Sequence, residues 1–253
     1  MFRTGNPTLS PRVFSQAAPV HGSQAMTLQG TAFKGGVLAT LALGTAMYTW
    51  GLVHKAVDLS AGIDSAMPWM LGGLAVAVVA GLVTSFVPRW AGMTAPIYAL
   101  GEGLVLGTIS AMADLRVPGV VLQAGSLTLL TLVSLAIVYQ MGWIRATRGF
   151  VLGLSAAMGA ICLMYLASFV MRMMGMSIPY IHGSGPIGIG VSVIVVIVAA
   201  LNLIMDFNQI EQGVRYGAPK YMEWYGAFGL MVTLVWLYLE ILRLLMKLAN
   251  RRD

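Results

Sequence analysis

Charge is what this sequence most lacks. Only 9% of its 253 residues are Asp, Glu, Lys or Arg, against about a quarter in an ordinary soluble domain. A soluble chain of this length could bury a sizeable core but would still need a charged exterior, and there are too few charges to build one. Cysteine is nearly absent as well. Cys162 stands alone inside an apolar run, which excludes a disulfide framework within the chain and leaves a small buried hydrophobe as the plain reading. His21, His54 and His182 are scattered without metal-ligand spacing. There is no His-Glu-x-x-His run and no paired glycine-rich phosphate loop, so the sequence argues against an enzyme. The string His182-Gly-Ser-Gly reads as turn chemistry. Nor do basic residues form a stripe with interleaved aromatics, which argues against nucleic acid as a partner.

What fills the chain instead is apolar: 58% of residues are hydrophobic. Seven runs of about 17–24 residues match helices crossing about 30 Å of hydrocarbon, and the alternating short strands of an outer-membrane barrel are missing. The spans run roughly Gly35–Val53, Met67–Val87, Ala95–Ala113, Val117–Gln140, Gly149–Met171, Ile189–Phe207 and Gly226–Leu242. The expected organisation is a flexible polar N-terminal tail over 1–34, a seven-span membrane domain over 35–248 and a basic C-terminal tail over 249–253. No apolar core with a cleavage site precedes Ala25, so the first span is expected to direct insertion. Ser177–Gly188, rich in Gly and Pro, reads as a loop. The fold class is therefore an all-α integral membrane protein, a bundle of seven transmembrane helices whose immediate partners are membrane lipids. The 18 methionines read as adaptable packing rather than a metal path.

The net charge is +6, carried mainly by tails and loops, including Arg145, Arg148, Lys247, Arg251 and Arg252. That pattern suits anionic headgroups and the fixing of orientation. Counting loop charges favours an inside N-terminus, yet it leaves the basic C-terminus outside; a seventh segment that dips in and returns would reconcile the two. Small residues four apart, Gly103/Gly107 and Gly149/Gly153, would let helices approach closely.

Against this background the acids inside the spans stand out, because lipid tolerates a carboxylate only where protein or water receives it. Asn202, Asp206 and Gln209 fall at i, i+4 and i+7, one stripe on an otherwise apolar helix, and mark a candidate ion pathway facing the bundle interior. The plainer alternative places Asp206 at the membrane surface. Glu102 lies mid-span between Gly101 and Gly103, with a structural hydrogen bond to a neighbouring helix as its plainer role. Glu240 has Arg243 at i+3, the spacing of an ordinary ion pair. Asp206 is the only Asp within the seven spans, which disfavours intramembrane proteolysis by two aspartates.

Three of these runs carry a resemblance. Ala95-Pro-Ile-Tyr-Ala-Leu-Gly-Glu102-Gly, Leu203-Ile-Met-Asp206-Phe-Asn and Leu237-Tyr-Leu-Glu240-Ile-Leu resemble, in order, the third-, sixth- and last-span motifs of the transmembrane Bax inhibitor motif family. Gly217-Ala-Pro-Lys-Tyr-Met-Glu223-Trp-Tyr-Gly is similar to its bacterial Bax inhibitor-1-like branch. The resemblance implies a bundle with the last helix central, a bacterial plasma (inner) membrane location and a pH-sensitive calcium leak. No cofactor is implied; calcium is the permeant ion. It further implies that Asp206 and Glu240 share a proton and act as the pH sensor; Glu102, Asn202 and Gln209, as the remaining polar groups inside the spans, are the expected ion path. Glu at 240 departs from the family's usual Asp. The two acids are also 34 positions apart. In a straight hairpin turning near Gly217, Glu240 would lie about 20 Å from Asp206 along the axis. Either the connection is irregular, or another acid, Glu223 or Glu102, answers Asp206. A proton-coupled cation transporter would use the same acids. A non-conducting regulator of membrane proteases or of stress and cell-death machinery would use the tails to reach a membrane-protein partner.

Overall fold

The computed structural model describes residues 24–56, 59–174, 183 and 185–251. The tail reading up to residue 23 lies outside these residues, as do His21, His182, Arg252 and most of the Ser177–Gly188 loop. Among these residues seven helices follow one another: α1 Leu28–Lys55, α2 Leu59–Phe86, α3 Ala91–Arg116, α4 Val120–Gln140, α5 Arg148–Met173, α6 Pro186–Arg215 and α7 Met222–Ala249. A 3-10 turn, Pro88–Trp90, precedes α3. All seven are long and apolar enough to cross a membrane. Helices satisfy their own backbone groups where lipid offers no partner, so this is an all-α integral membrane protein.

Five of the seven helices start earlier and end later than the hydropathy of the runs suggests, while α2 ends one residue earlier and α4 starts three residues later. α1 begins at Leu28, so residues 28–34, expected in the tail, are helical. Thr27 caps it, its Oγ1 accepting from the Gly30 N–H at 3.0 Å. The alternative of a last segment that dips in and returns does not match the helix observed. α7 is one continuous helix of 28 residues, about 42 Å long, which is a full crossing. Cys162 is exposed rather than buried, on an α5 whose apolar surface mostly faces outward. α6 ends at a Schellman turn: Gly217 has φ +64°, Ala218 N–H donates to Gly213 O at 3.0 Å and Gly217 N–H to Val214 O at 3.1 Å.

The chain forms two compact units. Among the described residues, the N-terminal unit takes those up to Val121 together with Gln209–Val232; the C-terminal unit takes Leu122–Asn208 and those from Thr233. About half of the apolar window of α3, α6 and α7 is buried, against about a fifth in the other four helices. The last helix is thus one of three inner helices.

In the N-terminal unit, α3 is held closely on two sides. A Cβ on Gly103 would meet Thr45 Oγ1 and the Ala42 carbonyl of α1, and one on Gly107 the Ala46 carbonyl and Thr49 Oγ1. The close approach lets Thr45 donate to Leu100 O at 3.0 Å and Thr49 to Leu104 O at 3.2 Å. On the other side Gly101 and Gly73 approach so tightly that a Cβ on either would lie 2.6–2.7 Å from the other's carbonyl oxygen. Gly149 and Gly153 share the same spacing in sequence, but nothing lies within 4 Å of a Cβ on either. In the C-terminal unit, Val151, Leu154 and Ile161 of α5 form a buried cluster with Val195, Val198 and Met205 of α6, and Trp236 of α7 packs against it.

Gly107→Val should therefore destabilise the protein by about 1–3 kcal/mol through overpacking, while Gly153→Val should leave it unchanged. Recovery of monodisperse protein after heating in detergent would show the difference. Equal loss in both variants would contradict the packing described.

Candidate functional site

The polar stripe on α6 is buried along its whole length: Asn202 is 1% exposed, Asp206 0% and Gln209 3%. Asp206 is the twenty-first of 30 residues in α6, about 8 Å from the helix midpoint. It is fully enclosed by protein rather than exposed at the end of its helix. Asn202 Nδ2 donates to Thr233 Oγ1 of α7 at 3.1 Å. Its Oδ1, and both amide atoms of Gln209, are buried without a hydrogen-bond partner among the described residues. Buried polar atoms without partners are costly and uncommon, so this stripe is the place in the bundle with polar capacity to spare.

Asp206 and Glu240 are not brought together. Asn202 faces Thr233, and Lys247 Nζ donates to Gly188 O at 3.0 Å. Both contacts define one antiparallel register for α6 and α7. It sets Glu240 level with Val195, eleven residues from Asp206 and about 16 Å along the axis. The connection is straight, and the expected shared proton has no geometry here.

Glu240 is instead held elsewhere. It is 2% exposed and accepts from Tyr165 Oη of α5 at 2.7 Å and from Arg243 Nη1 at 2.9 and 3.0 Å. Arg243 Nη1 also donates to Tyr165 Oη at 2.7 Å, and the guanidinium lies 5.4 Å from the Tyr165 ring centroid. The triangle ties α5 to α7 through a paired charge.

Glu223, the other acid suggested as a partner for Asp206, is likewise engaged. It sits in the first turn of α7, 1% exposed. Its carboxylate accepts from the Thr27 backbone N–H and Oγ1, both at 2.9 Å, pairs with the Lys34 ammonium and lies 3.3 Å from Lys220 Nζ. Lys34 also stacks over Trp224, 5.4 Å from the ring centroid. Main-chain bonds from Met26 N–H to Ala218 O at 2.7 Å and from Lys220 N–H to Gln24 O at 2.9 Å close the same junction. A helix N-terminus favours an acid, and here a single carboxylate serves the starts of both α1 and α7. A Cβ at Gly30 would run into it.

Glu102 is half-buried on α3, between the two close approaches at Gly101 and Gly103. Tyr98, one turn earlier, donates a hydrogen bond to it, and no ion pair to it occurs among the described residues. Its glycine neighbours make room for α1 and α2. Among the described residues, no three His, Cys, Asp or Glu side chains gather as metal ligands.

Sequence reasoning missed Tyr165, Tyr98, Thr27 and Lys34. Thr27 had a readable signal, a threonine just before an apolar helix. Tyr98 had another, its i, i+4 spacing from Glu102. Tyr165 and Lys34 had none, since each reaches its acid across the fold.

Seven long apolar helices with buried acids among them define a polytopic membrane protein. The chain belongs to the Bax inhibitor 1 like family, whose model matches residues 6–250. Neither the curated proteins nor the solved structures contain a match to it.

Glu223→Ala should cost about 3 kcal/mol or more, because it strands Lys34 in a largely buried position. Gly30→Ala should weaken the same junction by displacing the carboxylate. Thermal unfolding of the purified protein would register both, and wild-type stability in Glu223→Ala would refute the junction's importance.

Proposed function

We propose that the protein is a pH-sensitive, calcium-permeable leak in a bacterial plasma membrane, in which ionisation of Asp206 admits the cation. The observation that carries this reading is the complete burial of Asp206 inside a spanning helix, one turn from an Asn202 Oδ1 that accepts no hydrogen bond from the described residues. Protonated, a buried carboxyl is neutral and tolerable; ionised, it is costly in an apolar surround and draws a counter-charge. Calcium takes six to eight oxygen ligands, and carboxylate, amide and water oxygens are of the right kind. Asn202 and Gln209 extend the polar stripe, and Glu102 is a second intramembrane acid with a neutral partner. Asp206 acts without Glu240, whose charge is taken up by Arg243.

A second reading has its own support. Glu223 and Glu240 are both neutralised by basic side chains, so these two intramembrane acids serve as braces. If the others do likewise, the protein is a non-conducting regulator that works through a membrane-protein partner.

Reconstitution in calcium-free liposomes, with calcium entry followed from about pH 5 to 8, tests the proposal. Entry should rise with pH as Asp206 ionises. Asp206→Asn should flatten that rise, and Glu240→Gln should lower stability without moving its midpoint. Flux that requires an imposed proton gradient would make the protein a cation transporter instead. No flux from folded protein would leave the regulator.

A further inference from the structure

Residues 24–27 lie across the turn where α6 stops and α7 starts. Met26 N–H donates to Ala218 O at 2.7 Å and Lys220 N–H to Gln24 O at 2.9 Å, which pairs Ala25 with Pro219 in an antiparallel bridge. The two bonds fall on either side of that pair, so Pro219, which has no N–H, loses none by standing there. Ala218 in turn donates its N–H to Gly213 O at 3.0 Å. The segment is therefore bonded to the turn that ends α6 and, through it, to the last turn of that helix.

Its side chains reach further in. Met26 is 2% exposed and packs with Ile210, Ala218, Met222 and Tyr225. A Cβ on Gly226 of α7 would lie 3.2 Å from Ile210 Cγ1 and 3.3 Å from Met26 Cε. The end of the methionine thus fills the seam between α6 and α7, a gap suited to a flexible side chain. Thr27, next along, gives its N–H and its hydroxyl to Glu223, and Lys34 pairs with the same carboxylate.

What this segment covers is one end of the α6 stripe. Asn202, Asp206 and Gln209 run toward it, with Gln209 nearest. Ile210, under Met26, is the next residue, and Gly213, one turn on from Gln209 along the same face, is buried too. Gln209 lies six residues before Arg215, the last of α6, a rise of about 9 Å. Even so near the helix end it is 3% exposed, and neither of its amide atoms has a hydrogen-bond partner among the described residues. A short segment held by two main-chain bonds, one methionine and one carboxylate takes less to move than a packed helix.

We propose that residues 24–27 are a strap that closes the Gln209 end of the α6 stripe, and that their release from Ala218 and Glu223 opens the stripe to water. Water admitted there supplies the hydrogen bonds that Gln209 lacks. The inference rests on the reading of the stripe as a polar path, not on calcium as the ion. Control at the strap is separate from ionisation of Asp206: one opens the end of the path, the other charges its interior.

The test is thiol labelling in proteoliposomes, with a membrane-impermeant methanethiosulfonate reagent on both faces and full-length protein carrying Cys162→Ser and Gln209→Cys. In this background Met26→Ala, and separately Lys34→Gln with Glu223→Gln, should raise the labelling rate by about tenfold or more, because each removes an anchor of the closed strap. Met26→Leu should keep the original rate. Thr108→Cys, in place of Gln209→Cys, replaces a residue of α3 with 0% exposure. It should stay unlabelled in the same strap variants, which separates opening of the strap from unfolding. Unchanged labelling at position 209 in both strap variants, or an equal rise at position 108, would overturn the proposal. Calcium entry into the same liposomes bears on the leak alone: faster labelling without entry would keep the strap and reject calcium as the passenger.

Discussion

Lipid offers no hydrogen bonds and no counter-charges, so every polar group carried into the membrane must be received by another part of the chain. The arrangement of this protein follows from how its few intramembrane charges are received. Glu223 is received by Thr27, Lys34 and Lys220, which joins the starts of the first and last helices. Glu240 is received by Tyr165 and Arg243, which joins the fifth and last. In both cases removing the carboxylate would leave a cation without its partner. That loss is larger than the net worth of the pair, because the remaining charge keeps its desolvation penalty.

The α6 stripe is built differently. Asn202 spends its amide N–H on Thr233, yet among the described residues its carbonyl oxygen accepts nothing and the enclosed Gln209 has no partner for either amide atom. A bundle optimised only for stability would replace such groups with apolar ones. Their presence beside a fully enclosed Asp206, on one of the three inner helices, is the structural argument for a path used by something polar.

Much of this was legible in the sequence, for reasons that also explain the misses. Long apolar runs bounded by Pro, Gly and charge gave the seven helices. The start of α1 escaped because Lys34 looks like the end of a soluble tail. Its compensating acid, Glu223, lies 189 residues away, and no local pattern carries that pairing. Arg243 at i+3 from Glu240 was readable; Tyr165, from another helix, was not. Gly103/Gly107 and Gly149/Gly153 are indistinguishable as motifs. Only the first pair has a helix against it, because packing is decided by the partner surface. The 34-residue spacing of Asp206 and Glu240 was the most useful local clue, since it already measured out a separation that the register of α6 and α7 bears out.

The central claim is that the acids of α6 and α7 serve separately. Pairwise cysteine cross-linking in native membranes tests it most directly, in a Cys162→Ser background so that no other thiol is present. Disulfides need Cα atoms within about 7 Å. Asn202→Cys with Thr233→Cys should link readily, and Asp206→Cys with Glu240→Cys should not. Efficient linkage of the second pair would contradict the register and restore a shared-proton sensor.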